Sequence, residues 1–335
     1  MCCIRRSRAK AASLLIIAFP LLLIITNSIM VTTNSSVVYA YSKLNQVRSN
    51  GANSTTDNQA ILAKKVHVGD IDIAYKRFGK GDPILLISGS GLVMDAWPPS
   101  MLQELSSNHT VIIFNNRGVG NTTSGTKPFS ISQFANDTAD LISALKIQKA
   151  DVLGFSMGSF IAQELTLLHP EKVNRLILYG ASCGGKEGIP QSPQVVKILS
   201  DFVYNRSQAP GRVLSVTFPP SWVESHPNLT LPKSNEIVTP NTLKQQFNLV
   251  EDWFATNKSG ICSNLAKISI PTLVITGTED VSAPAPNSLI IVQKISGAWL
   301  VQIKGGRHGL MYQYPEKFDK VLQTFLLQQT DTRLC

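Results

Sequence analysis

The chain has 335 residues, a formal net charge of +9 and five cysteines. Five cysteines are too few for a small disulfide-stapled framework, and the basic residues form no cluster interleaved with aromatics, which argues against nucleic acid as a partner. Four of the cations, Arg5, Arg6, Arg8 and Lys10, precede Ala11, so the positive excess over the remaining chain is thin.

After those cations, Ala11 to Ile25 carries no charge. A basic flank before an apolar core has the layout of a secretory signal or an N-terminal membrane anchor. Pro20 interrupts the run, which reaches the ~20 residues needed to span a bilayer only if it extends to Val31. Residues 1–31 are therefore expected to be a signal peptide or anchor, the membrane being a partner only if the segment is not cleaved. Residues 32–60, rich in Asn, Ser and Thr, read as a flexible linker. Either outcome exports the body, which is expected to be secreted or membrane-anchored outside the cell. Eight N-x-S/T sequons, at Asn34, Asn53, Asn108, Asn121, Asn136, Asn205, Asn228 and Asn257, fit an exported and glycosylated surface.

From Lys64 the chain alternates strands and helices. KKVHVGDIDIAYKRFG reads as a hairpin turning at Gly69-Asp70. PILLIS, TVIIFNNR, ADVLGFS, VNRLILYG, PTLVITG and AWLVQIKG are mostly continuous apolar runs, as in parallel strands covered on both faces. SISQFANDTADLISALKI, SFIAQELTLLHP, PNSLIIVQKIS and PEKFDKVLQTFLLQ have helical spacing and lie between them. The order predicts an α/β fold with a doubly wound, mostly parallel eight-stranded sheet. Residues 184–263 break the alternation with Pro-rich segments and helical patterns such as NTLKQQFNLVEDWFATN. They read as an inserted helical cap between two parts of one core, 61–183 and 264–335. Ligands of open α/β sheets bind beyond the carboxyl ends of the strands, so a cap emerging there roofs the site. Cys183 and Cys262 bracket it and are either bridged or two buried thiols. Phe218, Trp222, Trp253 and Phe254 either line an apolar pocket or belong to the packing of the cap.

The stretch DVLGFSMGSFIAQ places Ser156 where a buried strand meets a helix. Such a junction is tight enough to strain the central residue and to crowd positions two away, which accounts for Gly154 and Gly158. A nucleophilic serine needs a base to take its proton and an acid to orient the base. Of five histidines, His67, His109, His169 and His226 lie in a strand, before one, at a helix end and in the cap. His308 follows the last strand, between glycines that let a loop fold back over the sheet. Asp280, directly after PTLVITG, is the candidate acid, with Glu279 its neighbour and rival. Backbone amides must also hold a developing oxyanion; Met157 N–H at the helix start and Ser90 N–H in the loop SGSG are the candidates. No His, Cys or carboxylate cluster has metal-ligand spacing, so no cofactor or metal is expected.

With these residues in place the body resembles the α/β-hydrolase superfamily, in its cap-bearing serine esterase, lactonase and haloperoxidase-like branch. The matching motifs are SGSG at 88–91, NNRGVGNT at 115–122, GFSMG at 154–158, GTED at 277–280 and GGRHG at 305–309. The resemblance implies a triad of Ser156, Asp280 and His308, with Ser90 and Met157 shaping the oxyanion hole. It implies a serine hydrolase for a small-molecule carboxylic ester or lactone, acting through an acyl-enzyme. Carbon-carbon bond hydrolysis or cofactor-free perhydrolysis on the same triad is the alternative, and a non-catalytic binding module on the same fold is the reading from another class. Two motifs depart from the family: Ser88-Gly89 stands where His-Gly is usual, and Asn115 and Thr122 stand for an aspartate and a serine.

Overall fold

A computed structural model describes residues 62–327, apart from 205–209, 228 and 230–233. All of them lie in one compact unit, 60–335. The expected signal or anchor, the linker, and the sequons at Asn34, Asn53, Asn205 and Asn228 fall outside the described residues.

The chain begins with strands β1 (Lys64–Val68), β2 (Ile71–Gly79) and β3 (Asp82–Ile87), then helix α1 (Pro99–Ser106) and β4 (His109–Phe114). Next come α2 (Ile131–Ala144), β5 (Ala150–Phe155), α3 (Met157–Leu168) and β6 (Val173–Tyr179). Four helices follow, α4 (Pro193–Tyr204), α5 (Pro210–Thr217), α6 (Pro220–Ser225) and α7 (Pro240–Phe254). The chain then returns through β7 (Thr272–Gly277), α8 (Pro286–Lys294), β8 (Trp299–Ile303), α9 (Leu310–Gln313) and α10 (Pro315–Leu326). The eight strands form one sheet in the order β1-β2-β4-β3-β5-β6-β7-β8. β2 pairs antiparallel with both neighbours and every other pairing is parallel. This is the doubly wound, mostly parallel sheet with a leading antiparallel hairpin that the apolar runs predict.

Burial on both faces explains the continuous runs. Every residue of β5 and of β7 is buried, with α2, α3 and α8 covering one face and α1 and α10 the other. Helix starts follow local chemistry: Ser130 Oγ accepts from Gln133 N at 3.0 Å to cap α2, and proline occupies the first turn of α1, α7, α8 and α10. Helix α1 is missing from the sequence reading, which took the stretch after β3 as loop. Arg117, 1% exposed, ties NNRGVGNT to the rest of the core. Its guanidinium grips Asp137 at 2.7 and 2.8 Å and also donates to Asp70 from the hairpin turn. That contact, with the Lys127 and Thr126 amides, holds the Asp70 carboxyl well below the usual carboxylate range.

Asp319 on α10 shows the opposite shift. Burial, and then the like charge of Glu104, push its carboxyl up to about 6. The folded-state value exceeds the unfolded value near 4, so the folded state binds the extra proton and stability is lost as pH climbs from about 4 through about 6. Asp319→Asn is expected to gain about 1 kcal/mol near pH 7.5, after discounting for the solvent that still reaches the group, and to change little near pH 4. Thermal melts of both proteins at the two pH values check this.

No strand forms among the described residues of 184–263, apart from a single bridge between Val119 and Val238. The segment is closed at its root, because Cys183 and Cys262 are disulfide-bonded, their Cα atoms 4.9 Å apart and 79 residues apart in sequence. Closing a loop of that size in the unfolded chain is worth about 4.5 kcal/mol on the chain-entropy account. Cys183→Ser with Cys262→Ser is expected to lose about that much, read as a lower urea midpoint at constant pH.

Candidate active site

Neighbouring strands deliver the candidate residues to one edge. In parallel register Ile87 of β3 pairs with Gly154 of β5, Phe155 with Tyr179 of β6, and Gly277 of β7 with Ile303 of β8. The loops leaving these strands carry Ser90, Ser156, Asp280 and His308.

Ser156 sits between β5 and α3 at φ 54° and ψ −123°. A side chain in that region is strained and persists only where the surroundings enforce it. The enforcement is visible in the two glycines. A Cβ on Gly154 would lie 2.3 Å from Gly158 O, and one on Gly158 would lie 2.0 Å from Ile87 O. Both contacts are with backbone, so neither position admits a side chain. Ser156 N donates to Tyr179 O at 2.9 Å, fixing the turn to the end of β6.

The candidate acid and the candidate base meet. Asp280, 4% exposed, accepts from Ser282 N and Ala283 N through Oδ1, both at 2.9 Å, and its Oδ2 lies 2.8 Å from His308 Nδ1. Thr278 N donates to Ile303 O and Glu279 N to Gly306 O, which stitches the loops after β7 and β8 together. Glu279 is exposed, its carboxylate 4.0 Å from Arg307 Nε, so the structure distinguishes it from Asp280. The His308 ring lies 5.0 Å from the ring of Phe155, the residue before Ser156. A methyl added to Gly180, next to the Tyr179 carbonyl that holds Ser156, would be 2.9 Å from His308 Cε1. Ser156 and the imidazole thus border the same corner. Tyr179 reaches under it: its buried hydroxyl donates to His308 O, and burial with the nearby Asp280 charge raises the phenol well above its ordinary range.

The loop proposed to hold an oxyanion adjoins Ser156, since a Cβ on Gly89 would be 3.1 Å from Ser156 Cβ. Ser90 follows it, half-buried, and Met157, fully buried, opens α3. Sequence reasoning missed Gln246 here. This cap residue on α7 is fully buried and its Oε1 accepts from Gly91 N at 2.8 Å, pinning the loop from above. Its trace in the sequence was a polar residue sharing a helical face with Leu243 and Phe247. The departures from the family pattern also have contacts. Asn115 accepts from Met94 N and donates Nδ2 to Glu236 Oε1 in the cap, where an aspartate would set two carboxylates together. Thr122 Oγ1 accepts from Ala74 N and donates to Asn115 O. Asn121, a sequon residue, spends its side-chain amide on the same Glu236 oxygen at 2.9 Å.

Of the four cap aromatics, Trp253 stacks on Phe160 of α3 at 4.8 Å and donates Nε1 to Ser182 O, and Phe254 meets Phe160 edge-on. Those two are packing at the cap root. Phe218 and Trp222 stack on each other at 4.7 Å, with Phe218 against Gly309 of the histidine loop. A cavity of about 560 Å³, lined by Ser124, Lys127, Phe129, Asn241 and Gln245 among others, opens elsewhere, beside α7, and none of Ser156, Asp280 or His308 lines it.

Comparison with known proteins agrees with this fold. The family model described as the alpha/beta hydrolase fold matches residues 82–315. The chain belongs to the α/β-hydrolase family. Among curated relatives, the hydrolase is 27% identical over 265 residues, 77% of this chain and 96% of the other, to a protein of Azorhizobium caulinodans carried under the provisional name carbamate hydrolase RutD. It is 26% identical over 268 residues, 79% and 98% of the two chains, to pyrrolizixenacetamide deacetylase of Xenorhabdus hominickii. In fold it is like the enol-lactonase of Burkholderia xenovorans LB400, with a TM-score of 0.66 at 23% identity over 79% of this chain and all of that one. The hydrolase is an enzyme of this family, as its relatives are.

Proposed function

We propose that the chain is an exported serine hydrolase that cleaves a small-molecule carboxylic ester or lactone through an acyl-enzyme on Ser156. The observation that carries the reading is the strained Ser156 elbow bordering, at Tyr179 and Gly180, the imidazole that Asp280 orients from 2.8 Å. His308 Nε2 takes the Ser156 proton as Oγ attacks the carbonyl carbon, and the Ser90 and Met157 amides hold the oxyanion. The imidazolium then returns that proton to the leaving alkoxide. Water loses a proton to the same nitrogen and attacks the acyl carbon; as the bond to Oγ breaks, the imidazolium gives that proton to Ser156 and the acid is released. Asp280 stabilises the imidazolium without itself taking the proton. The Cys183–Cys262 bridge supports export, because disulfides persist in oxidising compartments.

The test is a panel of p-nitrophenyl esters of graded acyl length alongside simple lactones, with intact-mass detection of an acyl adduct on Ser156. Turnover with a trapped adduct is the expected result. Acyl transfer seen only to hydrogen peroxide would move the reaction to perhydrolysis on the same triad, and no turnover of either class would sink the proposal. The mass of the secreted protein recovered from its host, with or without residues 1–31, checks the export step.

A further inference from the structure

We propose that the C-terminal end of cap helix α5 is a positioning element for the acid–base pair, holding the loops of both Asp280 and His308 through three successive main-chain carbonyls. The inference rests on the roles given above to Ser156, Asp280 and His308. Ser215 O accepts from Arg307 Nη1, Val216 O from Ser282 Oγ at 3.2 Å, and Thr217 O from Gly309 N at 2.7 Å. The last carbonyls of any helix have no partner within it. Here the partners flank the reacting groups: Arg307 and Gly309 stand on either side of His308, and Ser282 is the residue whose backbone N–H holds Asp280 Oδ1. The next residue, Phe218, is fully buried against Gly309, where a Cβ would come within 2.2 Å of its ring. The helix end therefore cannot slide toward the loop, and withdrawing it breaks three hydrogen bonds together.

The physical consequence is that the cap does more than roof the site. A base displaced by about 1 Å costs on the order of 100-fold in rate, and the three carbonyls act beside the Tyr179 contact on His308 and the main-chain bonds that join the two loops. Arg307 and Ser282 are accordingly positioning residues, acting on His308 and Asp280 through the cap.

The test uses the whole protein and p-nitrophenyl acetate, an ester too small to depend on the pocket under the cap. Arg307→Ala combined with Ser282→Ala is expected to lower kcat about 10- to 100-fold with KM changed less than about threefold. The far-downfield proton resonance of His308 Nδ1–H, shared with Asp280, is expected to broaden or vanish in that variant. Arg307→Lys, which keeps a cationic donor for Ser215 O, should recover most of kcat. Arg212→Ala, an exposed position on the same helix, should leave all readouts unchanged. Fluorophosphonate labelling of the wild-type protein checks the underlying reading separately: an unlabelled wild type sinks that reading. A labelled wild type with unchanged kcat and resonance in the double variant overturns the positioning role, as does an equal loss in Arg212→Ala. Should the double variant lose its fold by circular dichroism, Ser282→Ala alone decides, and an unaltered resonance there overturns the proposal.

Discussion

Ser156→Ala is expected to lower kcat on an activated ester by about 10⁵-fold or more, because in the proposed mechanism every later step needs a covalent bond to this hydroxyl. The residual rate comes from oxyanion donors and bound water, which the substitution leaves in place. Stability should hardly change. The elbow at φ 54° strains alanine no more than serine, and the turn is fixed by main-chain bonds such as Ser156 N to Tyr179 O, which alanine retains. Burst-phase kinetics with a p-nitrophenyl ester, fluorophosphonate labelling and a thermal melt together read the outcome. A variant that keeps more than about a hundredth of wild-type kcat would show that the acyl group is never carried on Ser156.

Asp280→Asn is expected to cost about 10⁴-fold in kcat, a loss seen when such an aspartate is made amide and the histidine is left in the wrong tautomer. The geometry explains why it should happen here. Asp280 Oδ1 is claimed by two backbone donors, Ser282 N and Ala283 N. An asparagine must turn its oxygen toward them and its NH₂ toward His308 Nδ1. That nitrogen then has to accept, the ring proton moves to Nε2, and no lone pair is left there to take the serine proton. Binding should be little changed, so KM stays near the wild-type value while kcat collapses. A variant with intact kcat would mean that the 2.8 Å contact orients nothing.

Most of the scaffold was legible because its strands are buried on both faces, which forces unbroken apolar runs such as ADVLGF and TLVITG. The elbow was legible for a steric reason: only glycine fits at positions 154 and 158. Asp280 was the sequence's candidate acid with Glu279 its rival, and what the sequence does not record is which way the loop turns each: Asp280 inward, 2.8 Å from His308, and Glu279 out to solvent. Helix α1 escaped because its eight residues bury just Met101 and Leu105, one turn apart, after a glycine-rich stretch that reads as loop. Gln246 and the α5 contacts escaped for another reason. They join residues from 66 to 155 positions apart through backbone groups or a single amide, and no local pattern records such a meeting.

The bridge between Cys183 and Cys262 makes the intervening segment a covalent ring. A protease that nicks this ring cannot release either fragment, because the pieces before and after the cut remain tethered through sulfur. A single cut in the roof would therefore leave a two-chain molecule of unchanged mass, apart from one added water, that separates only under a reductant.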